Sequence, residues 1–186
     1  SDMTNAWQAM DGRASILEGF IDFSHEVSVI AARASDGQVA CYDPGENVHK
    51  NGILQSTKVP ANLNTSQRTD AVLIAAKILN ALDYIGVIGV ELFLTADGFI
   101  VNEIAPRVHN SGHWTQNGCD ICQFEQHIRA VACWPLGDGV RHSDIRMENL
   151  IGTDIDRVPE LRKGNAALHL YGKSDVKLGR KTVSYT

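Results

Sequence analysis

The hydrophobic and polar positions of the first fifty residues predict short strands joined by turns. Residues 16–23 (ILEGFIDF) and 26–33 (EVSVIAAR) are apolar runs of strand length. Residues 38–42 (QVACY) follow a turn at Asp36-Gly37, which predicts a hairpin with 26–33. Pro, Gly and Asn are dense in residues 43–52, which we interpret as a loop.

Two later segments have the periodicity of amphipathic helices. Asn64 can cap the first helix, with Gln67 three residues on, and Gly86 follows its end. Its apolar stripe consists of Ala71, Ile74, Ile78 and Leu82. Asp120 and Gln123 give the second helix the same kind of start. Its apolar face consists of Ile121, Phe124, Ile128 and Val131. The second helix should end before Trp134-Pro135, because the residue preceding a proline avoids helical geometry.

The pattern changes after Pro135, where strand candidates at 145–151 and 166–171 lie among Gly, Pro and charged residues. We therefore predict two units, a main domain over residues 1–135 and a small β-rich subdomain over residues 136–186. The mixture of hairpins and amphipathic helices predicts an α+β fold, with a mixed or antiparallel sheet covered by helices on one side.

A second hairpin carries an acidic residue in each strand, Glu91 in 85–94 (IGVIGVELFL) and Glu103 in 99–105 (FIVNEIA). A two-residue turn at Asp97-Gly98 would place the two glutamates on opposite faces. A three-residue loop, Ala96-Asp97-Gly98, pairs 95 with 99, 93 with 101 and Glu91 with Glu103. We favour this loop. It leaves a plausible core on the other face, formed by Val90, Leu92, Leu94, Ile100 and Ile104.

Two carboxylates that face each other among apolar residues repel, and burying them is costly. A divalent cation such as Mg²⁺, which prefers carboxylate, water and phosphate oxygens, would remove that cost. The alternatives are a pair that shares a proton for acid–base catalysis, or separate ion pairs of Glu91 and Glu103 with Arg or Lys. The residues alone leave these possibilities open.

The composition is that of a globular protein, with 186 residues, 44% of them hydrophobic. No apolar run reaches the roughly 18 residues of a membrane helix, and no signal peptide is recognisable. The cysteine spacing does not form a secreted disulfide framework, and the CDIC segment at 119–122 lacks a second ligand pair for zinc. We expect a cytoplasmic protein with no membrane partner.

The formal charge of −5 is unevenly distributed along the chain. From Arg157 to the end there are seven Lys or Arg and two acids, which leaves ten basic and twenty acidic side chains in residues 1–156. This favours a local anion site over a nucleic-acid-binding surface, and we expect no nucleic-acid partner. A solvated surface with scattered lysines is the alternative.

Five segments, in this order, closely resemble the 5-(carboxyamino)imidazole ribonucleotide synthases, a family of ATP-grasp enzymes. They are ILEGFIDFSHEVSVIAAR, ENVHKNGIL, GVIGVELFLTADGFIVNEIAPRVHNSGHWTQNG, CQFEQHIRAV and YGKSDVKLGRK. The resemblance extends from about Arg13 to Lys181, and APRVHNSGHWTQNG is its most specific stretch. It implies a carbon–nitrogen ligase of purine biosynthesis. Such an enzyme makes 5-(carboxyamino)imidazole ribonucleotide, ADP and phosphate from ATP, bicarbonate and 5-aminoimidazole ribonucleotide.

The resemblance also implies roles for individual residues. The ATP side of the site consists of Glu18, Gly19, Phe20 and Ile21 at the adenine, Glu26 at the ribose, His49, and Asn102 beside Glu103. Glu91 and Glu103 resemble the Mg²⁺ ligands. Arg107 and His109 resemble the groups that hold bicarbonate or its phosphorylated form. The remaining substrate-binding residues are Asn110 and Ser111 in the loop, and Lys173 and Arg180 at the substrate's 5′-phosphate. Homodimerisation is a further expectation.

The chain departs from the family pattern at both ends. It begins at Ser1, and the family's amino-terminal domain, an ATP-contacting lysine and a GYDGKG-type loop are absent. We therefore expect a carboxy-terminal fragment that is inactive alone. After GRK the chain reads TVSYT where a Gly-His segment is usual, which affects the setting of Arg180 and Lys181. Alternative interpretations are another ATP-grasp carboxylate–amine ligase, or a non-catalytic nucleotide-binding module.

Overall fold

The computed structural model describes residues 3–172 and 181–186. The strands are β1 His25–Arg33, β2 Val39–Cys41, β3 Gly45–Lys50, β4 Ile53–Val59, β5 Gly86–Thr95, β6 Gly98–Ala105, β7 Ile145–Ile151, β8 Leu168–Leu170 and β9 Lys181–Tyr185. The helices are α1 Met3–Ala9, α2 Thr65–Ala81, α3 Thr115–Gly118, α4 Gln123–Val131 and α5 Val158–Leu161, with 3₁₀ turns at Asn110–Gly112 and Gly152–Arg157. No helix among these residues is long and apolar enough to cross a bilayer.

All described strands join one sheet, in the order β6-β5-β1-β3-β4-β7-β9-β8, with β2 paired to β1. Every pairing is antiparallel. The α+β prediction is therefore confirmed, and the sheet is antiparallel. Because β7 pairs with β4, strands from both sides of Pro135 share the sheet. The division into residues 1–135 and 136–186 stays a prediction.

Helices cover both faces of the sheet, so the predicted one-sided cover is wrong. On one face, Val27, Val29 and Ala31 of β1 pack in a cluster with Ala71, Ala75 and Leu79 of α2. On the other face, Ile30 and Ala32 share a cluster with Trp114 and with Ala130 of α4. Burial on both faces explains why β1 is an almost continuous run of apolar residues.

Helix α2 begins as the sequence predicts. Asn64 Oδ1 accepts from the Gln67 amide at 2.9 Å, and Gln67 Oε1 accepts from the Asn64 amide at 3.0 Å. This capping box satisfies two otherwise unpaired amides and contributes about 1 kcal/mol. The predicted stripe is only partly correct, because Leu82 is 56% exposed while Ala75 and Leu79 are buried.

Helix α4 buries the side opposite to the one that the sequence predicts. Cys122, not Asp120, occupies the N-cap position and its side chain makes no capping hydrogen bond. The apolar residues Phe124, Ile128 and Val131 are 38%, 55% and 50% exposed. Gln123 and Gln126 are fully buried. Their amides pair with backbone groups, as when Gln126 Nε2 donates to Gly137 O at 2.8 Å and Gln126 Oε1 accepts from Gly137 N at 2.9 Å. Satisfied amides can be buried at little cost, so apolar periodicity did not identify the buried face.

Two stretches near the amino terminus also differ from prediction. Residues 16–23 form no strand, and Ile16, Leu17 and Phe20 are 88%, 83% and 94% exposed. Residues 43–52 are not a loop but contain β3. Asn51 and Gly52, with φ of 53° and 71°, form a two-residue turn from β3 to β4. Asn-Gly is a strong hairpin signal, which the density of loop-type residues obscured.

The remaining strand predictions hold in part. The β1–β2 hairpin and the strands β5, β6 and β7 are confirmed. The candidate at 166–171 shortens to β8, and β9 was not predicted. Because β9 pairs with β7, Lys181 lies next to Ile151 of β7.

Candidate functional site

Glu91 of β5 and Glu103 of β6 are directly paired across the hairpin, as predicted, but by a different register. The turn is the two-residue Ala96-Asp97, so Thr95 pairs with Gly98 and Phe93 with Ile100. This register alone would place Asn102 opposite Glu91. A bulge at Asn102 shifts the ladder by one residue and brings Glu103 there instead. The predicted three-residue loop is therefore wrong, although its consequence for the glutamates is correct.

Strand β6 lies at the edge of the sheet, which changes the setting of the pair. Ile100 and Ile104, predicted as core, are each 41% exposed, whereas Val90 and Leu92 of β5 are buried. Glu103 is exposed, and the side chain of Glu91 is only 13% exposed. The two acids therefore differ: one is held within the sheet and the other borders solvent.

Burial raises the pKa of Glu91 above its ordinary value, and the nearby charges of Glu103 and Glu26 raise it further. His49 and Lys181 act in the opposite direction. A bound cation would stabilise the charged form of Glu91 and remove the repulsion from Glu103. The electrostatics of the pair therefore favour binding of a cation.

Glu26 and His49 meet on the same face of the sheet. Glu26 of β1 pairs with Asn47 of β3, and strand alternation returns His49 to the side of Asn47. His49 Nδ1 lies 2.5 Å from Glu26 Oε2, and both side chains are more than three-quarters buried. The pair holds a carboxylate and an imidazole in the same cleft as Glu91, and the nucleotide-binding roles of Glu26 and His49 stay predictions.

His109 packs directly on β5. A Cβ placed on Gly89 would lie 2.6 Å from His109 Cβ, so only glycine leaves room for the ring. Gln123 of α4 holds the backbone of His109 at both ends: His109 N donates to Oε1 at 2.9 Å, and Gln123 Nε2 donates to His109 O at 2.7 Å. The sequence did not predict this contact, because a helix residue and a loop residue meet only in the folded chain.

The ring of His109 is neutral at pH 7. Burial, followed by the charge of Arg107, lowers the pKa of His109 to about 4. Its Nδ1 lies 2.8 Å from Ser111 Oγ and 3.9 Å from Glu91 Oε1. A neutral imidazole can accept or donate one proton, so His109 is suited to hydrogen bonding with a reactant and not to charge pairing.

Arg107 lies outside the cleft that the other residues form. It is exposed, and its Nη1 donates to Val108 O at 3.1 Å. Its charge still reaches the ring of His109. The predicted role of Arg107 in holding an anion stays a prediction.

Asn110 and Ser111 continue the loop into a buried polar network. Asn110 Nδ2 donates to Asn149 Oδ1 at 2.9 Å, and Asn149 Nδ2 donates to Leu54 O at 3.1 Å. The backbone carbonyl of Leu54 thereby fixes the orientation of both amides. Within the described residues, Asn110 Oδ1 is buried without a hydrogen-bond partner. A buried acceptor of this kind suits a ligand that carries an N–H or O–H donor.

These side chains form two adjoining depressions. The larger encloses about 390 Å³ and is lined by Glu26, His49, Gly52, Leu54, Glu91, Asn102, Glu103, His109 and Lys181. The smaller encloses about 250 Å³ and is lined by Glu18, Gly19, Ile21, Phe93, Ile100, Val101 and Asn102. Asn102 contributes to both.

The structure thus brings most of the predicted ATP-side residues together. Glu18, Gly19 and Ile21 line the smaller depression, which adjoins that of the carboxylate pair at Asn102, whereas Phe20 is 94% exposed and lines neither depression. Lys181, to which the sequence assigned no role, joins the larger depression. The excess of basic residues after Arg157 was the available signal. Lys173 and Arg180 lie outside the described residues.

The donor set suits a hard divalent cation. The described residues contain no group of three or more His, Cys, Asp or Glu side chains that could hold a metal ion. Two opposed carboxylates nevertheless match what Mg²⁺ uses when water and phosphate oxygens complete its shell. Glu91 and Glu103 therefore fit Mg²⁺ that arrives with a nucleotide better than an ion held by protein alone.

A sequence profile of the ATP-grasp domain matches residues 1–124, more than half of the chain. The chain belongs to the ATP-grasp family. Among curated relatives of this ATP-grasp chain, the N5-carboxyaminoimidazole ribonucleotide synthase of Brucella melitensis is 56% identical over 179 residues, 95% of this chain and 49% of that protein. The synthase of Escherichia coli is 43% identical over 166 residues, 89% of this chain and 46% of that protein. The chain spans about half the length of the curated relatives it matches.

Solved structures give the same assignment of the ATP-grasp fold. The ADP complex of an N5-carboxyaminoimidazole ribonucleotide synthetase matches with a TM-score of 0.94 and 37% identity, over 99% of this chain and 50% of that one. The Aspergillus clavatus synthase in complex with ADP and 5-aminoimidazole ribonucleotide matches with a TM-score of 0.85 and 34% identity, over 89% of this chain and 46% of that one. The predicted fold is confirmed.

Proposed function

We propose that this chain supplies the cation- and anion-binding wall of an ATP-dependent ligase. The ligase carboxylates 5-aminoimidazole ribonucleotide with bicarbonate. The products are 5-(carboxyamino)imidazole ribonucleotide, ADP and phosphate. The observation that carries the proposal is the Glu91–Glu103 pair in a cleft that adjoins the groove of Glu18, Gly19 and Ile21. The synthases that match across 89–99% of the chain support it.

On the nucleotide side, each group has a role that suits its setting. The groove of Glu18, Gly19 and Ile21 would take the adenine, with Phe20 beside it. Glu26, in the adjoining larger depression, would accept hydrogen bonds from the ribose. The contact with His49 holds the Glu26 carboxylate in one orientation. Glu91 and Glu103, with Asn102 between the two depressions, would hold Mg²⁺ at the phosphates. The ion would neutralise phosphate charge and align the terminal phosphoryl group for transfer.

On the substrate side, the reaction requires an anion and an amine to meet near the transferred phosphoryl group. His109, held by Gln123 and with a pKa lowered to about 4, can form a hydrogen bond with the anion or with the amine. Asn110 Oδ1 offers a buried acceptor to a donor on the substrate. Arg107, Ser111, Lys173 and Arg180 complete the substrate-binding set that we propose. A homodimer in the cytoplasm is part of the same proposal.

The test is substrate-stimulated ATP hydrolysis in a complete enzyme. The chain would be joined to the amino-terminal half of the Brucella melitensis relative, and ADP release measured with bicarbonate, with and without 5-aminoimidazole ribonucleotide. We expect release that depends on both substrates. ADP release that does not depend on 5-aminoimidazole ribonucleotide would indicate another carboxylate–amine ligase. Binding of ATP without any ADP release would indicate a non-catalytic module. Either result would contradict the proposal.

A further inference from the structure

Lys181 is held at a fixed point beside the cleft. It begins β9 and pairs with Ile151 of β7. The next residues, Thr182, Val183 and Ser184, are at least 97% buried. A bulge at Thr182 interrupts the ladder between the pairs Leu150–Val183 and Ile151–Lys181. Bulges of this kind redirect the neighbouring side chain and are common next to active sites.

The cleft that Lys181 enters is strongly acidic. Its described lining contains three carboxylates, those of Glu26, Glu91 and Glu103, and Lys181 is the only Lys or Arg among these lining residues. One divalent cation added to three carboxylates and one ammonium gives a net charge of zero, leaving the histidines aside. An anionic reactant can then approach without net repulsion, and the ammonium of Lys181 is the positive charge that the described lining offers it.

The charge of Lys181 also interacts with two other residues of the site, Glu91 and His109. Its charge favours the ionised form of Glu91 and the neutral form of His109, so it acts on the pKa of both residues. Arg107, the cation that the sequence predicts for anion binding, donates to Val108 O and does not line the cleft. Among the described residues, Lys181 and not Arg107 therefore provides the cation that lines this cleft.

We propose that Lys181 is a catalytic residue whose ammonium binds a carbonate or phosphoryl oxygen in the cleft that it shares with Glu91 and Glu103, the residues that would hold the cation. This inference rests on the proposed function, since that reaction brings such an oxyanion into the cleft. The ammonium forms no covalent bond and keeps its protons. The ammonium donates hydrogen bonds to the carbonate or phosphoryl oxygen, on which negative charge increases during phosphoryl transfer.

The alternative role for Lys181 is structural, as a counter-charge that keeps Glu91 ionised within the sheet. The two roles differ in what the cleft can bind. A counter-charge would affect the ionisation and stability of the chain, and would change anion affinity only through the net charge of the cleft, by less than the loss of a direct charge-assisted hydrogen bond. An oxyanion-binding group would set anion affinity directly.

The experiment uses the 186-residue chain and three variants: Lys181→Met, Lys181→Arg and, as a matched control, Lys58→Met on an exposed position of β4. Backbone amide NMR spectra would first verify folding. Inorganic phosphate and bicarbonate would then be titrated separately, with and without Mg²⁺, while the amides of residues 107–111 are followed. The two arms identify which oxyanion the cleft accepts.

We expect the unmodified chain to bind at least one of the two anions, more tightly with Mg²⁺. Loss of one charge-assisted hydrogen bond should weaken binding about tenfold or more in Lys181→Met. Lys181→Arg should keep most of the affinity, and Lys58→Met all of it. The inference is overturned if neither anion binds, or if Lys181→Met binds as well as the unmodified chain. Failure of the proposed function appears separately, as absence of substrate-stimulated ADP release in the joined enzyme.

Discussion

Glu91 and Glu103 lie directly opposite each other because a two-residue turn and a one-residue bulge act together in the β5–β6 hairpin. With the two-residue turn alone, Glu91 would pair with Asn102. The bulge at Asn102 shifts the pairing by one residue, so that Glu91 pairs with Glu103. The pair then places a buried and an exposed carboxylate at the edge of the sheet.

The first prediction concerns the repulsion between the two acids. Replacing Glu103 by Gln removes a charge that raises the pKa of Glu91, so this pKa should fall towards its ordinary value. Carboxyl-detected NMR titration of the metal-free chain measures it. Glu46→Gln on β3 is the control. The Glu46 carboxylate is partly exposed and accepts from the Asn62 amide, so its replacement should leave the pKa of Glu91 unchanged. An unaltered pKa of Glu91 in Glu103→Gln would show that the two charges do not interact.

The second prediction concerns acid sensitivity at His113, whose Nδ1 lies 3.0 Å from Tyr171 Oη. Burial, then the charges of His169 and Lys181, lowers the pKa of His113 from 6.5 to about 4. Between these values the unfolded chain binds a proton that the folded chain does not, so stability is lost as pH falls from 6.5 towards 4. A shift of this size corresponds to roughly 3 kcal/mol at most.

Urea unfolding of the chain and of His113→Gln at pH 7 and pH 5 checks this. For each protein, the free energy of unfolding at pH 5 is subtracted from that at pH 7, which cancels the pH-independent effect of the substitution on packing. The variant should lose less free energy of unfolding on acidification than the unmodified chain. Equal losses would mean that His113 titrates alike in the folded and unfolded states.

The third prediction concerns the approach of His109 to β5. Gly89→Ala adds a Cβ that would lie 2.6 Å from His109 Cβ, so the loop must move. Overpacking of this kind costs about 1 to 3 kcal/mol and should also shift the ring resonances of His109. Gly164→Ala is the control, since its nearest contact would be 3.5 Å away. A Gly89→Ala chain with full stability and unshifted His109 resonances would contradict this packing.

The fourth prediction compares two buried glutamines on α4. Gln123→Leu leaves the His109 N–H and C=O without their partners, and Gln126→Leu does the same to Gly137. Each substitution should destabilise the chain by about 2 to 4 kcal/mol, because two buried polar groups lose hydrogen bonds.

Only Gln123→Leu should alter the site. We expect it to weaken the anion binding reported by the amides of residues 107–111, while Gln126→Leu leaves that binding intact. Equal effects of the two variants on anion binding would mean that the Gln123 contact supports the fold without positioning His109.

How much the sequence predicted depends on the range of the interactions involved. The capping box of α2 was correct because Asn64 and Gln67 are three residues apart and satisfy each other. The predicted pairing of Glu91 with Glu103 was correct. The predicted three-residue loop was wrong, because the sequence Thr95-Ala96-Asp97-Gly98 is compatible with more than one turn length. The bulge at Asn102 has no local signal that separates it from regular pairing.

The errors share a physical origin in long-range contacts. The buried face of α4 depends on Gln123 and Gln126 meeting backbone groups 11 or 14 residues away, which periodicity cannot show. Strand β3 is stabilised by pairing on both sides with β1 and β4, which overrides its loop-like composition. Lys181 enters the cleft only because β9 pairs with β7.

The central claim is that Glu91 and Glu103 together form a divalent cation site. The most direct measurement is titration of the chain with Mn²⁺ in the presence of ADP, following paramagnetic broadening of backbone amides by NMR. Broadening should begin at Glu91, Glu103 and their strand neighbours, and Glu103→Gln should weaken binding about tenfold or more. Broadening centred elsewhere, or unchanged in Glu103→Gln, would contradict the claim.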